Sequence, residues 1–215
     1  MNMQIAVLTA MDAEYTAVCG ALGGDEGSIG AHEVRVLRCG IGKVNAAALS
    51  TEIILSSRPD CMISTGCAGG LREDVHLMEV VAASQTCYHD VWCGEPNAPG
   101  QVQGMPLRFD ADKRLLSRAQ ALPGVRAGLV CTGDCFCTEA SDIQSIASAF
   151  PDALAVDMES ASIAQVCHIY GVPFLSLRVI SDSVASGDRA SEYSDFWSEV
   201  SGRSFGALRR LLETL

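Results

Sequence analysis

Positive charge is what this chain has least of. Its 215 residues carry 15 Lys and Arg against 26 Asp and Glu, a formal net charge of -11 and a pI near 4.7. A surface of that sign repels phosphate backbones and acidic lipid headgroups, which argues against nucleic-acid and membrane partners. Long apolar runs are missing too. No stretch approaches the roughly 18 residues that a spanning helix needs. The opening Met1-Asn2-Met3-Gln4 lacks the basic region of a secretory signal, and the apolar run Ile5 to Ala10 is short for its core. The expectation is a cytoplasmic protein. No repeat, low-complexity stretch or long linker interrupts the sequence, so residues 1–215 read as one domain.

The ten cysteines form no C-x-x-C pair. Scattered through apolar runs, most read as buried small hydrophobes in a reducing compartment. Cys131, Cys135 and Cys137 are close enough in sequence to consider as metal ligands. No second Cys or His cluster follows at finger-like spacing, so no metal site is expected. Nucleotide-loop signatures fail as well. Around Gly40-Ile-Gly42-Lys43 the P-loop pattern lacks its first glycine, where Leu37 stands, and the hydroxyl residue after the lysine, where Val44 stands. Neither this segment nor Gly66-Cys67-Ala68-Gly69-Gly70 contains G-x-G-x-x-G, so a dinucleotide site is unsupported. Both segments read as glycine turns after strands. The first suits a structural turn. For the second, a turn and a ligand contact are equally consistent with the residues.

What is present is an alternation of short apolar runs and amphipathic stretches, the pattern of an α/β domain. Strands are expected at Gln4–Thr9, His32–Cys39, Asp60–Thr65, Val80–Thr86, Arg126–Thr132 and Pro173–Ile180. Helices are expected at Asp12–Leu22, Lys43–Ser57, Thr138–Phe150 and Met158–Tyr170. A long C-terminal helix is expected from about Ser191, carrying Phe196, Val200, Leu208 and Leu212 at near-helical spacing. The stretch His89–Arg108, rich in Gly, Pro, Asn and Gln, reads as a long functional or interfacial loop.

Three acids stand where apolar strands end or helices begin: Glu14, Glu159 and Asp182. Asp12 and Asp157 sit nearby and read best as helix caps. Capping and function are both open for Glu14 and Glu159. Asp182 closes the run Phe174-Leu-Ser-Leu-Arg-Val-Ile-Ser-Asp182, where capping explains it least. Carboxylates gathered at strand ends suit glycosidic cleavage. One acid protonates the leaving group, a second carboxylate activates water against an oxocarbenium-like sugar, and a third accepts hydrogen bonds from sugar hydroxyls. The proton donor must be desolvated to keep its proton near neutrality.

Seven segments in order resemble the purine nucleoside phosphorylase/nucleosidase superfamily, and within it the methylthioadenosine/S-adenosylhomocysteine nucleosidases. They are Thr9-Ala-Met-Asp-Ala-Glu14, Cys39-Gly-Ile-Gly-Lys-Val-Asn45, Ser64-Thr-Gly-Cys-Ala-Gly-Gly70, Tyr88-His-Asp90, Gly133-Asp-Cys-Phe136, Ala155-Val-Asp-Met-Glu159 and Arg178-Val-Ile-Ser-Asp182. The resemblance implies a three-layer αβα sandwich around a central mixed sheet, assembled as a homodimer, with no cofactor. It implies release of adenine from an adenine nucleoside by water. It assigns Asp182 to protonation of adenine N7 with Ser181 holding it, and Glu14 to activation of the water. Glu159 would hold the ribose hydroxyls with Met158 against the sugar. Phe136 would stack on adenine, the Cys137 backbone would bond its edge, and Gly69 would approach purine and sugar. Ile41 and Tyr193 would line the space for the 5′ group.

Three departures stand out. Cys67 replaces a serine that helps position the water, Cys137 replaces an isoleucine beside the stacking Phe, and Gly94–Gly100 lacks the aromatics that enclose a 5′-alkylthio group. These leave the 5′ group open, a futalosine-type nucleoside included. Phosphorolysis is the rival on the same fold. It needs cations for a phosphate dianion, yet Ser64 and the acidic Met11–Glu14 segment stand where related phosphorylases place arginine. A non-catalytic nucleoside- or metal-binding module is a third reading, weakened by the presence of all three acids.

Overall fold

The structure, a computed structural model, describes residues 2–184, 188–199 and 205–215. Nine strands and seven helices are described among them. In chain order they are β1 (Gln4–Thr9), α1 (Asp12–Leu22), β2 (Glu26–Ile29), β3 (His32–Arg38), α2 (Lys43–Ser57), β4 (Cys61–Gly70), β5 (Val80–Tyr88), β6 (Phe109–Asp110), α3 (Lys113–Gln120), β7 (Val125–Thr132), α4 (Ala140–Ala149), β8 (Ala153–Asp157), α5 (Ser160–Tyr170), β9 (Phe174–Asp182), α6 (Arg189–Glu199) and α7 (Gly206–Thr214).

One mixed sheet runs β2-β3-β1-β4-β8-β7-β5-β6, and β9 pairs with both β4 and β5. Strands β4, β9, β5, β7 and β8 therefore close a ring, while β1, β3 and β2 extend it as an open edge. Parallel pairing of β1 with β3 and β4, and of β4 with β9, demands crossover helices, and these cover the sheet. Val18 of α1, Leu115 and Ala119 of α3, and Leu208, Leu211 and Leu212 of α7 pack in one apolar cluster with Ile5, Val7 and Ile63. Ala46, Ile53 and Ile54 of α2 join Ile163, Ala164 and Cys167 of α5 in a second cluster, on the other strand residues Ala6, Leu8 and Met62. Strand neighbours alternate between the two clusters, as a pleat with both faces covered requires. The result is helix layer, mixed sheet, helix layer.

Local signals set several element ends. Helix α1 stops where Gly23 takes φ 90° and returns its N–H to the Cys19 carbonyl, a conformation that spares only glycine its Cβ clash. Helix α7 buries Ala207, Leu208, Leu211 and Leu212 in a stripe spaced by turns. Each fully buried leucine there stabilises by roughly 1.5–3 kcal/mol.

The structure corrects four sequence expectations. Gly66–Gly70 is no turn: it is the end of β4, extended and paired with β9 and β8. The expected single C-terminal helix is described as α6 and α7, with Val200 outside the described residues. Asp12 lies in the first turn of α1, but its carboxylate pairs with Arg38 rather than with the helix amides. Half of the cysteines, not most, are buried; Cys19, Cys39 and Cys67 are half-buried, and Cys93 and Cys135 are exposed. Strands β2 and β6 and helix α3 had no counterpart in the sequence expectations, and β8 appeared there only as a strand end before Glu159. The segment His89–Arg108 does run without strand or helix between β5 and β6.

Candidate active site

Strands β4, β8 and β9 deliver residues from their C-terminal ends to one cavity of about 350 Å³, and Ala10 and Met11 reach it just after β1. A bulge between Ala68 and Gly69 lets β4 follow β9 to Asp182 and still pair Gly69 and Gly70 with Val156 and Ala155 of β8. Glycine is required in that stretch by crowding. A Cβ on Gly66 would collide with the Glu14 carboxylate, and one on Gly69 would come within 2.9 Å of Asp182 Oδ1. Side chains from neighbouring elements fill the space that β4 leaves empty.

Glu14 projects from the first turn of α1 and is buried, 3% exposed. Its Oε2 accepts from the amides of Ala10 (2.8 Å) and Met11 (3.0 Å), and its Oε1 from the amide of Cys67 (2.9 Å). Capping and cavity lining thus coexist in one residue. The Cys67 thiol beside it is held protonated, chiefly by burial and then by the Glu14 charge.

Glu159 precedes α5 and accepts from the Gly42 amide at 2.9 Å. Gly42 sits at φ 93°, and its neighbour Lys43 is fixed by Asp134 through its amide (2.8 Å) and by Asp90 through Nζ (2.6 Å). Burial, then the charges of Asp157 and Glu14, push the Glu159 carboxyl up to about 7 against the opposing pull of Arg178 and the Gly42 amide.

Asp182 ends β9, 4% exposed. Its Oδ2 accepts from Ser181 Oγ at 2.8 Å. Burial raises its proton affinity above that of an ordinary Asp, and the nearby Arg189 guanidinium and Ser181 work against the rise. Phe136 and Tyr193 meet edge to face across the cavity, ring centroids 5.0 Å apart. Phe136 is half exposed, and the Tyr193 hydroxyl reaches Met11 Sδ at 3.4 Å. Ile41, Cys67, Gly69, Cys137, Met158 and Ser181 complete the set, so every residue that the resemblance assigned to the site lines this one cavity.

Sequence reasoning missed the cation beneath the site. Arg178 of β9 is buried, donating from Nε to Asp157 Oδ2 (2.7 Å) and from Nη2 to Ser64 Oγ (2.8 Å). Asp157 also accepts from Thr132 Oγ1 at 2.6 Å and from the Ser160 amide at 3.3 Å. It ends β8 and reaches the first amide of α5, whose N-cap is Glu159 and not, as expected, Asp157, and it is also the partner of a buried cation. The signal was available: an arginine inside an otherwise apolar strand must find a buried acid. Met11, Ala10, Ala68 and Val156 also line the cavity, as does Cys135, which the sequence offered only as a metal-ligand candidate. Among the described residues no group of three His, Cys, Asp or Glu side chains is placed to hold a metal ion. No helix among them is long and apolar enough to cross a membrane.

A ringed mixed sheet under two helix layers, with acids gathered at its strand ends, is the architecture of a nucleoside-cleaving enzyme class, and residues 4–213 match the family model described as Phosphorylase superfamily. The chain is 33% identical over 230 residues to the 5′-methylthioadenosine/S-adenosylhomocysteine nucleosidase of Desulfotalea psychrophila, covering 99% of this chain and 98% of that protein. It resembles the solved Streptococcus pneumoniae MTA/SAH nucleosidase in complex with 8-aminoadenine (TM-score 0.91, 33% identity, 99% and 100% of the two chains). It also resembles the Neisseria meningitidis nucleosidase in complex with methylthio-immucillin-A (TM-score 0.91, 30% identity, 99% of each chain). The chain belongs to the phosphorylase superfamily and, within it, to the 5′-methylthioadenosine/S-adenosylhomocysteine nucleosidase family.

Proposed function

We infer that this chain hydrolyses the N-glycosidic bond of 5′-methylthioadenosine and S-adenosylhomocysteine, releasing adenine. The observation that carries the reading is the meeting of Glu14, Glu159 and Asp182 in one cavity with no Lys or Arg among its lining residues. A phosphate nucleophile would meet carboxylates there and no cation among the described residues that line the cavity, whereas water is drawn to them. Arg178, the nearest buried cation to Glu14 and Glu159, is engaged with Asp157 and Ser64.

Asp182 gives its proton to adenine N7 as the glycosidic bond breaks, and the bonding electron pair leaves on the base. Ser181 orients the carboxyl. Positive charge builds on the sugar, facing Glu14 and Glu159, and Glu14 takes a proton from the attacking water. Glu159 accepts the ribose hydroxyls, with Met158 against the ring. Phe136 covers the base, the backbone of Cys137 meets its edge, and Gly69 admits both base and sugar. Ile41 and Tyr193 border the 5′ substituent. Residues 1–215 act as one catalytic unit in the cytoplasm, paired as a homodimer through the His89–Arg108 segment. The test is adenine release from methylthioadenosine with and without phosphate. Equal rates are expected; release that requires phosphate would overturn the hydrolytic reading.

A further inference from the structure

Asp182 does not stand alone at the end of β9. Arg189, the first residue of α6, is buried, 7% exposed, and its Nη2 is in ion-pair contact with Asp182 Oδ1. Its Nη1 donates to the Gly70 carbonyl at 3.0 Å. One side chain therefore ties the start of α6 to the ends of β9 and β4. Arg189 is not among the residues lining the cavity, whereas Asp182 is. The guanidinium thus meets the carboxyl from the protein side and leaves its cavity face to a ligand.

The groups around Asp182 come from four places. Arg189 and Glu192 belong to α6, and Glu192 is itself held by the Ser183 amide at 2.8 Å. Ser181 belongs to β9, and Gly69 and Gly70 of β4 offer only backbone. The Cys137 thiol of the loop after β7 lies within electrostatic reach of Arg189. Arg189 is the one cation in this set.

We propose that Arg189 is a positioning residue for the proton donor: its ion pair fixes the Asp182 carboxyl and sets the pH above which that carboxyl has lost its proton. This rests on the reading of Asp182 as the acid. When the proton passes to the base nitrogen and the C–N electrons leave with the base, Asp182 is left negative and buried. A cation already in contact offsets that charge. Its cost is a lower ceiling on the pH at which the acid stays loaded, because an opposite charge in contact favours ionisation.

The test is the pH profile of kcat/KM for adenine release by the wild type and by Arg189→Gln, Arg189→Met and Arg189→Lys, together with the titration of the Asp182 carboxyl followed by carbon NMR. The two neutral variants guard against one of them failing to fold. In both, the alkaline limb and the Asp182 midpoint move up by about one pH unit or more, the usual size of an opposite-charge effect. Arg189→Lys keeps both close to the wild-type values. A uniform fall in rate with an unmoved profile and an unmoved Asp182 midpoint would overturn the proposal, leaving Arg189 a structural tie. A midpoint that moves while Asp182→Asn retains its rate would preserve the ion-pair effect and remove the reading of Asp182 as donor.

Discussion

At one end of the cavity Glu14 is gripped by three backbone amides, those of Ala10, Met11 and Cys67. At the other end Asp182 is held by two side chains, Ser181 and Arg189. Main-chain donors are fixed once β1, β4 and α1 are in place, and no side-chain substitution removes them. Side-chain partners can be changed singly. The end proposed to handle water is therefore built into the fold, whereas the end proposed to protonate the base is tuned by particular residues. A carboxylate that must always accept, and an acid that must exchange its proton each turnover, call for these different settings.

The largest expected effect that breaks the comparison is at the base end. Asp182→Asn lowers kcat for methylthioadenosine by about 10²–10⁴-fold, the range for loss of a general acid, and lowers the thermal unfolding midpoint as well, because it leaves the buried Arg189 guanidinium without its carboxylate. Glu14→Gln is expected to lose activity on the same scale and stability too, because Gln has a single acceptor oxygen and turns its donor-only NH2 toward at least one of the amides that Glu14 accepts from. Calorimetry separates them: replacing Arg189 with Met as well recovers part of the stability lost in Asp182→Asn and none of that lost in Glu14→Gln.

Arg178 tests what lies beneath both ends. Arg178→Met leaves Asp157 charged and buried without its cation, at a cost of about 3–5 kcal/mol in denaturant unfolding. Replacing Asp157 as well, with Asn, recovers part of the loss.

Glu159 gives a smaller, pH-dependent effect. Its carboxyl is pushed from an ordinary 4.5 up to about 7 by burial. A folded value above the unfolded one means that the native state binds the proton more tightly. This contribution is complete below pH 4.5 and declines as pH rises toward 7, by on the order of 3 kcal/mol in all. Glu159→Gln removes the slope, so the variant gains on the wild type between pH 5 and pH 8. Parallel stability curves would show that the carboxyl titrates as in the unfolded chain. The smallest effect is at Cys67. Cys67→Ser changes kcat by less than about tenfold, the worth of one ordinary hydrogen bond, because the Cys67 amide holds Glu14 whatever the side chain and a serine hydroxyl keeps a donor where the thiol meets Glu14.

Much of this architecture was legible because its signals are local. Gln4–Thr9 carries an apolar run, and Asp12–Leu22 and Lys43–Ser57 carry helical patterns closed by Gly23 and by Pro59; they form β1, α1 and α2 with those bounds. The cavity residues were legible as motifs in order along the chain. What escaped depends on tertiary neighbours. Strand β8 is five residues long; the junction before Glu159 suggested a strand end, but its bounds depend on pairing with Cys131 and Thr132 of β7. Helix α3 was overlooked although Asp112 signals it, accepting from the Arg114 and Leu115 amides at 3.1 and 3.0 Å. Gly66–Gly70 looked like a turn because sequence shows glycines but not the Glu14 and Asp182 side chains that need their space. Arg189 sits in a polar stretch with no period, and only the fold brings it to Asp182.

The two ends of the cavity are separated most directly by changing the leaving group. Asp182→Asn and Glu14→Gln are assayed on methylthioadenosine and on a 4-nitrophenyl riboside, whose phenolate leaves without being protonated. Asp182→Asn is predicted to lose methylthioadenosine cleavage and keep most of the activity that the wild type has on the nitrophenyl substrate, while Glu14→Gln loses both. Equal losses on the two substrates by Asp182→Asn would contradict its role as the proton donor.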